Sequence, residues 1–392
     1  MEVCLVNQPA GSAAPPAKNI VICLDGTSNQ IGSSSQPTNV ALVFEMLDLD
    51  QPTQQVAYYD PGVGTLPATG AIGNIGRSLS MVRQLAFGSG MKQNISQAYT
   101  WLMDNYTPGD RIYIFGFSRG AYTARAFAGM LGRPGLLRSG SLNLVDYAVR
   151  EYTRRGKGTK ANDRAWSFAD ATCWGTAADP MNKPDGVPSI PAGDRRHAVP
   201  IEYLGVWDTV KAAGFLGIGR IEWPDTRTLW NVKRLRHAVS LDERRRPFRE
   251  YLVHPDSPAG FEEAWFAGVH TDVGGTHLDE AQLSTIALKW VFDPVANTLL
   301  LRDKNPSKAY SVCQVTSEFE AGPQHKNGAL WDLSLGPRAR PLTGPVKVHS
   351  SVRARRTSWG ANLRRLNLAD DSPQWIDRDW TIPIYPPPVD QF

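Results

Sequence analysis

The chain has 392 residues, 42% hydrophobic and 20% charged, and its 42 basic and 38 acidic residues leave a net charge of +4. These proportions exclude an intrinsically disordered chain, and the basic excess is too small to imply a nucleic-acid partner. Cys4, Cys23, Cys173 and Cys313 are scattered with no CxxC pair, which excludes a zinc knuckle or redox motif and fits a reducing compartment.

Residues 1–18, MEVCLVNQPAGSAAPPAK, lack a basic start and a long apolar core, so they read as a flexible leader and not as a secretory signal. No stretch approaches the ~18 apolar residues of a membrane-spanning helix. The expected location is cytoplasmic, or outside the cell by a route that needs no signal peptide.

NIVICLDGTSNQ (19–30) is a buried strand running into a polar loop, and QQVAYYDPGVGT (54–65) repeats that design. In MKQNISQAYTWLMDN (91–105), Ile95, Tyr99 and Leu102 fall at helical spacing. RIYIFGF is then a strand, and Ser118 to Leu131, with its four alanines, is a close-packed helix. Residues 138–198 are charged early and rich in Pro, Gly and Asp later, so they read as a cap inserted in the domain. HAVSLDERRRPF reads as an Arg-rich helical stretch around His237. VPIEYLGVWDTV (199–210) and EAWFAGVHTDVGG (263–275) resume the strand pattern, and AQLSTIALKWVFDPVA (281–296) is a helix.

Buried strands alternating with helices predict an α/β fold, a mostly parallel sheet with helices on both faces. The expected domain spans 19–300. Residues 301–392, rich in Arg, Trp and Pro, form an extension packed on it.

Gly116-Phe117-Ser118-Arg119-Gly120 matches G-x-S-x-G between a strand and a helix, the context of a nucleophile elbow. The alternative is a tight strand–helix junction with a buried hydroxyl. A serine nucleophile needs a base and an acid that orients it, in the chain order Ser, Asp, His on such a sheet. Asp208 in GVWDTV and His270 in GVHTDVGG both follow strands in that order. Asp208 could equally cap the following turn, and His270 could be a structural histidine held by Asp272. His237 is the rival base.

The oxyanion donors would be the amides of Arg119 and of Gly26 or Thr27. A phosphatase of the haloacid-dehalogenase type is disfavoured, because Cys23 stands where its nucleophilic Asp would be. Asp25, His270 and Asp272 could meet at a metal only without any clustered ligand spacing. No cofactor or metal is expected. The loop 214–224, with Ile218, Ile221 and Trp223, would be a lid. The cluster Arg353, Arg355, Arg356, Arg364 and Arg365 with Trp359 would be a solvated surface or a transient contact with anionic headgroups at a membrane surface.

LDGTSNQ, GFSRGAYTAR followed by GLL, GVWDTV, HAVSLDERRRPF, WFAGVHTDVGG and VHSSVR, in this order from about residue 18 to 356, together resemble one family. It is the α/β-hydrolase-like family long known only as a domain of unknown function, which includes lipase effectors of bacterial type VI secretion. The resemblance implies a phospholipase-like serine hydrolase with Ser118 as nucleophile and a triad completed by Asp208 and His270. It also implies a lipid or ester substrate, and a secretion-apparatus or immunity protein as partner. Compared with long effector members the chain has no room for a large membrane-anchoring domain, which favours lysophospholipids, monoglycerides or smaller esters. A retained fold acting as a binding or assembly module without turnover is the competing class.

Overall fold

The computed structural model describes residues 16–26, 37–62, 89–154, 167–175, 197–211, 223–276, 280–302, 315–325, 339–342, 346–359 and 373–381. The leader to residue 15, Thr27, and Ile218 and Ile221 of the lid loop lie outside the described residues.

The first strand, β1 (Asn19–Leu24), is buried at every position. Its side chains alternate between two apolar clusters, with Ile20, Ile22 and Leu24 on one face of the sheet and Val21 and Cys23 on the other. A strand covered on both faces has no polar side to show, hence the continuous apolar run. Helix α1 (Asn39–Met46) starts where the Thr38 hydroxyl accepts the Ala41 amide, and it covers the second face with Val40, Val43 and Met46. Edge strand β2 (Gln55–Asp60) follows, then α2 (Ser89–Asn105), which lays Ile95, Tyr99 and Leu102 on the first face.

Strand β3 (Arg111–Phe117) leads directly into α3 (Arg119–Gly132). The small residues of α3 let it sit close: a Cβ at Gly129 would come within 2.2 Å of the Tyr152 hydroxyl. Tyr152 belongs to α4 (Val145–Thr153), in the described part of the 138–198 stretch. Val145, Ala148, Val149 and Tyr152, with Ala169 and Cys173, join the apolar cluster of α2 and α3.

Strands β4 (Ile201–Trp207), β5 (Val232–Ser240) and β6 (Phe261–Phe266) extend the sheet. The segment around His237 is therefore β-strand and not helix. Val232, Leu235 and His237 to Ser240 are buried, while Lys233, Arg234 and Arg236 reach outward along the face. Two of these cations pair with Glu202 and Glu262 on neighbouring strands, and the Arg-rich run DERRR that suggested a helix begins only after the strand ends at Ser240. A short helix, α5 (His270–Gly274), and α6 (Gln282–Phe292) complete the second face.

The C-terminal region adds strands: β7 (Lys347–His349), followed by α7 (Ser350–Trp359), and β8 (Gln374–Ile376). The order is β2-β1-β3-β4-β5-β6-β7-β8, and every pairing is parallel. The chain thus forms an α/β fold with a parallel eight-stranded sheet between helices. The strand order reverses at β1 and β3, which opens a crevice beyond their carboxyl ends. In α7, Arg353 is exposed but Arg355 is buried and donates to the carbonyls of Glu320 and Gly322, which removes it from any headgroup contact. Arg364 and Arg365 lie outside the described residues, as do the side chains of Arg356 and Trp359.

Candidate active site

Ser118 sits at the carboxyl end of β3 with φ 59° and ψ −123°, a backbone state that costs a non-glycine residue roughly 1–3 kcal/mol. Three backbone hydrogen bonds hold it there: its amide donates to Trp207, and its carbonyl accepts from Tyr122 and Val210. The flanking glycines are sterically required. A Cβ on Gly120 would lie 2.1 Å from the Leu24 carbonyl oxygen, and one on Gly116 would meet Gly120 and Ala121 at 2.8 Å. The turn can exist only because strand β1 passes directly against α3 with no side chain between them.

Asp208 ends β4 and His270 opens α5 beyond β6. Ser118 Oγ lies 2.8 Å from His270 Nε2, and His270 Nδ1 lies 2.5 Å from Asp208 Oδ2. All three are nearly excluded from solvent, with exposures of 7%, 4% and 0%. The ring of His270 packs against Phe117 at 4.6 Å and meets Phe248 edge-on at 4.9 Å. Its backbone amide donates to Glu243, whose carboxylate is gripped by the Arg245 guanidinium.

Sequence reasoning did not find Arg340. From a stretch without periodicity it reaches Asp208 with both terminal nitrogens, Nη1 to Oδ1 at 2.5 Å and Nη2 to Oδ2 at 2.9 Å. The same nitrogens donate to the carbonyls of Ser240 and Phe248. Asp208 Oδ1 also accepts the Ser240 amide at 2.8 Å. Burial alone would push the Asp208 carboxyl up, but the Arg340 charge, with the His270 hydrogen bond, holds it well below the usual carboxylate range. Asp208 is therefore an anion, His270 donates from Nδ1, and Nε2 is left to accept from Ser118.

Burial also lowers the His270 pKa from 6.5, opposed by Asp208 and Glu243 and assisted by Arg245. A base is lost when it is protonated. The acid limb of kcat/KM should therefore have its midpoint below pH 6.5, measured on a soluble ester whose own ionisation is constant there.

His237 lies elsewhere. It is fully buried in β5, its Nε2 accepts the Thr209 amide at 3.1 Å, and its Nδ1 is 2.7 Å from Glu263. Both nitrogens are committed and neither meets Ser118. Asp272 does not hold His270; it accepts the Val269 amide and pairs with His325 at 2.5 Å. Asp25 accepts the hydroxyls of Thr38 at 2.6 Å and Tyr59 at 2.7 Å. Asp25, His270 and Asp272 thus serve three separate networks and do not converge on one point. The Gly26 amide donates to Asp25 Oδ1 at 2.6 Å, so an oxyanion would have to compete for it. The Arg119 amide, in the first turn of α3, is in the part of a helix whose N–H groups have no intrahelical acceptor.

A serine, a neutral imidazole and an anchored carboxylate, set on strand ends of a parallel sheet, have the geometry of acyl-transfer chemistry. Residues 18–294 match the family described as T6SS, phospholipase effector Tle1-like, catalytic domain, and the chain belongs to that family. An uncharacterized protein of Saccharomyces cerevisiae is 33% identical over 250 residues, which are 62% of this chain and 34% of that protein. A crystal structure of an uncharacterized protein from Pseudomonas aeruginosa is 22% identical with a TM-score of 0.38, covering 71% of this chain and 45% of that one. The Tle1 effector bound to the VgrG spike of the type 6 secretion system is 19% identical with a TM-score of 0.32, covering 71% and 55%. The chain spans about a third of the yeast relative and about half of each solved protein. These structural likenesses are too distant to bear on the site.

Proposed function

We propose that the protein is a serine hydrolase that cleaves carboxylic esters of lipids, in the manner of a phospholipase or lysophospholipase. The observation that carries this reading is the line from Ser118 through His270 to Asp208, at 2.8 and 2.5 Å, on a strained turn. Membership of the phospholipase effector family supports the lipid substrate and a secretion-apparatus partner. No helix among the described residues is long and apolar enough to cross a membrane.

In this mechanism Ser118 Oγ attacks the ester carbonyl as His270 Nε2 takes its proton. The Arg119 amide, with Gly26 or Thr27, receives the negative oxygen of the tetrahedral intermediate. Collapse expels the alcohol, which takes the proton from His270 and leaves an acyl-Ser118. Water, deprotonated by the same imidazole, then releases the fatty acid. Asp208 stays ionised throughout and stabilises the imidazolium formed at each step.

The test is a fluorophosphonate probe on wild type and Ser118→Ala, alongside product analysis on defined phospholipids. Wild type should label and release fatty acid, and the variant should do neither. Labelling unchanged in the variant would remove Ser118 as nucleophile. A wild type that neither labels nor turns over would leave the fold as a binding module.

A further inference from the structure

An Arg-rich segment, residues 244–249, follows β5. Arg245, Arg246, Arg249 and Arg340 line a recess of about 190 Å³, with Glu250 as its only acidic wall among the described residues. Two of these guanidiniums are already committed. Arg245 grips Glu243, and Arg340 forks onto Asp208. Arg246 and Arg249 are exposed at the rim. Among the described residues Arg246 has no ion pair, and Arg249 has only a long contact of 3.9 Å with Glu250.

One buried donor and one buried acceptor of the recess wall, Arg340 Nε and Glu250 Oε2, face each other as an ion pair without a hydrogen bond. The Arg340 side chain is 3% exposed, yet its Nε makes no hydrogen bond and stands 3.8 Å from Glu250 Oε2, too far to be one. A buried N–H of this kind is costly unless something accepts from it. Guanidinium groups present planar forks of N–H donors that match phosphate oxygens.

The recess also adjoins the reaction centre. Arg340, one of its walls, holds Asp208, and Phe248, between Arg246 and Arg249 in sequence, gives its carbonyl to Arg340 and its ring edge to His270.

We propose that this arginine-ringed recess binds a phosphate group, the headgroup phosphate of a lipid whose ester lies at Ser118. The assignment to a headgroup rests on the hydrolase reading; the binding of phosphate does not. Arg246 and Arg249 supply the donors that reach solvent. Neither rim arginine takes part in the chemistry, so their loss should affect phosphate-bearing substrates alone.

The experiment compares lysophosphatidic acid with the monoacylglycerol of the same acyl chain, on wild type and the Arg246→Ala/Arg249→Ala double variant. The ratio of kcat/KM, phosphate-bearing over neutral, should fall about tenfold or more in the double variant with monoacylglycerol turnover unchanged. Arg353→Ala, exposed on α7, controls for mere loss of positive charge and should leave the ratio alone. In parallel, inorganic phosphate is titrated calorimetrically into Ser118→Ala with and without the two arginines. Binding that depends on them, with an unmoved ester ratio, assigns the recess to free phosphate and removes the headgroup. If neither binding nor the ratio depends on them, the proposal is overturned. If neither ester is turned over at all, the hydrolase reading fails and the phosphate titration decides the recess by itself.

Discussion

Changing His270 to alanine should lower ester turnover by roughly 10⁴–10⁶-fold, as removal of the base does in triad hydrolases. The reason lies in the contact list of one ring. Its Nε2 lies 2.8 Å from Ser118 Oγ, and nothing else in the described site can replace it at that distance. His237→Ala is the matched comparison. Its ring bridges the Thr209 amide and Glu263 beside the buried Arg125, so its loss leaves buried groups without their partner. That should cost about 1–3 kcal/mol of stability, seen as a lower Tm, while the folded fraction keeps its kcat. Measuring kcat and Tm on both variants separates the two histidines. A His237 variant that folds normally but has lost turnover would invert the assignment.

The second large effect concerns Arg340. Replacing it with methionine keeps most of the volume but leaves the Asp208 carboxylate buried with one charged partner fewer, a change worth roughly 3–5 kcal/mol. Thermal or urea unfolding would read this directly. The sign with pH follows from the depressed Asp208 pKa. The ion pair contributes fully above the ordinary aspartate pKa of about 3.9 and fades as pH falls through the lower, folded value. A catalytic consequence accompanies it. With the guanidinium gone, the Asp208 charge acts on the imidazole undiminished, so the protonated form of His270 is favoured. The acid limb of kcat/KM should then move to higher pH. Arg340→Lys, which keeps the charge without the fork, should recover the limb more than the stability. A limb that stays put in both variants would reduce Arg340 to a structural tie.

The core of the fold was legible because strands buried on both faces must be continuously apolar, as NIVICL and RIYIFGF are. The meeting of the three candidate residues was legible for a related reason. In parallel sheets the carboxyl ends of strands converge, so Ser118, Asp208 and His270 could be matched by position after their strands. Strand β5 was not legible as a strand. It ends at Ser240, and the DERRR run that follows made the whole stretch around His237 read as an Arg-rich helix. The three-residue strands β7 and β8 were invisible because so short a segment has no period to detect. Arg340 carried no local signal: its partner is 132 residues away in sequence, and only the closed fold brings them together.

That last separation bears on how much of the chain builds the candidate site. The family match ends at residue 294, and Ser118, Asp208 and His270 fall inside it. Arg340 does not, nor does His325, which pairs with Asp272 in the helix that opens with His270. A chain cut at the family boundary would keep Ser118, Asp208 and His270. It would lose the guanidinium that neutralises the deepest carboxylate and two strands from the edge of the sheet. The family match covers the three candidate residues, and the contacts and sheet pairings around them extend past it.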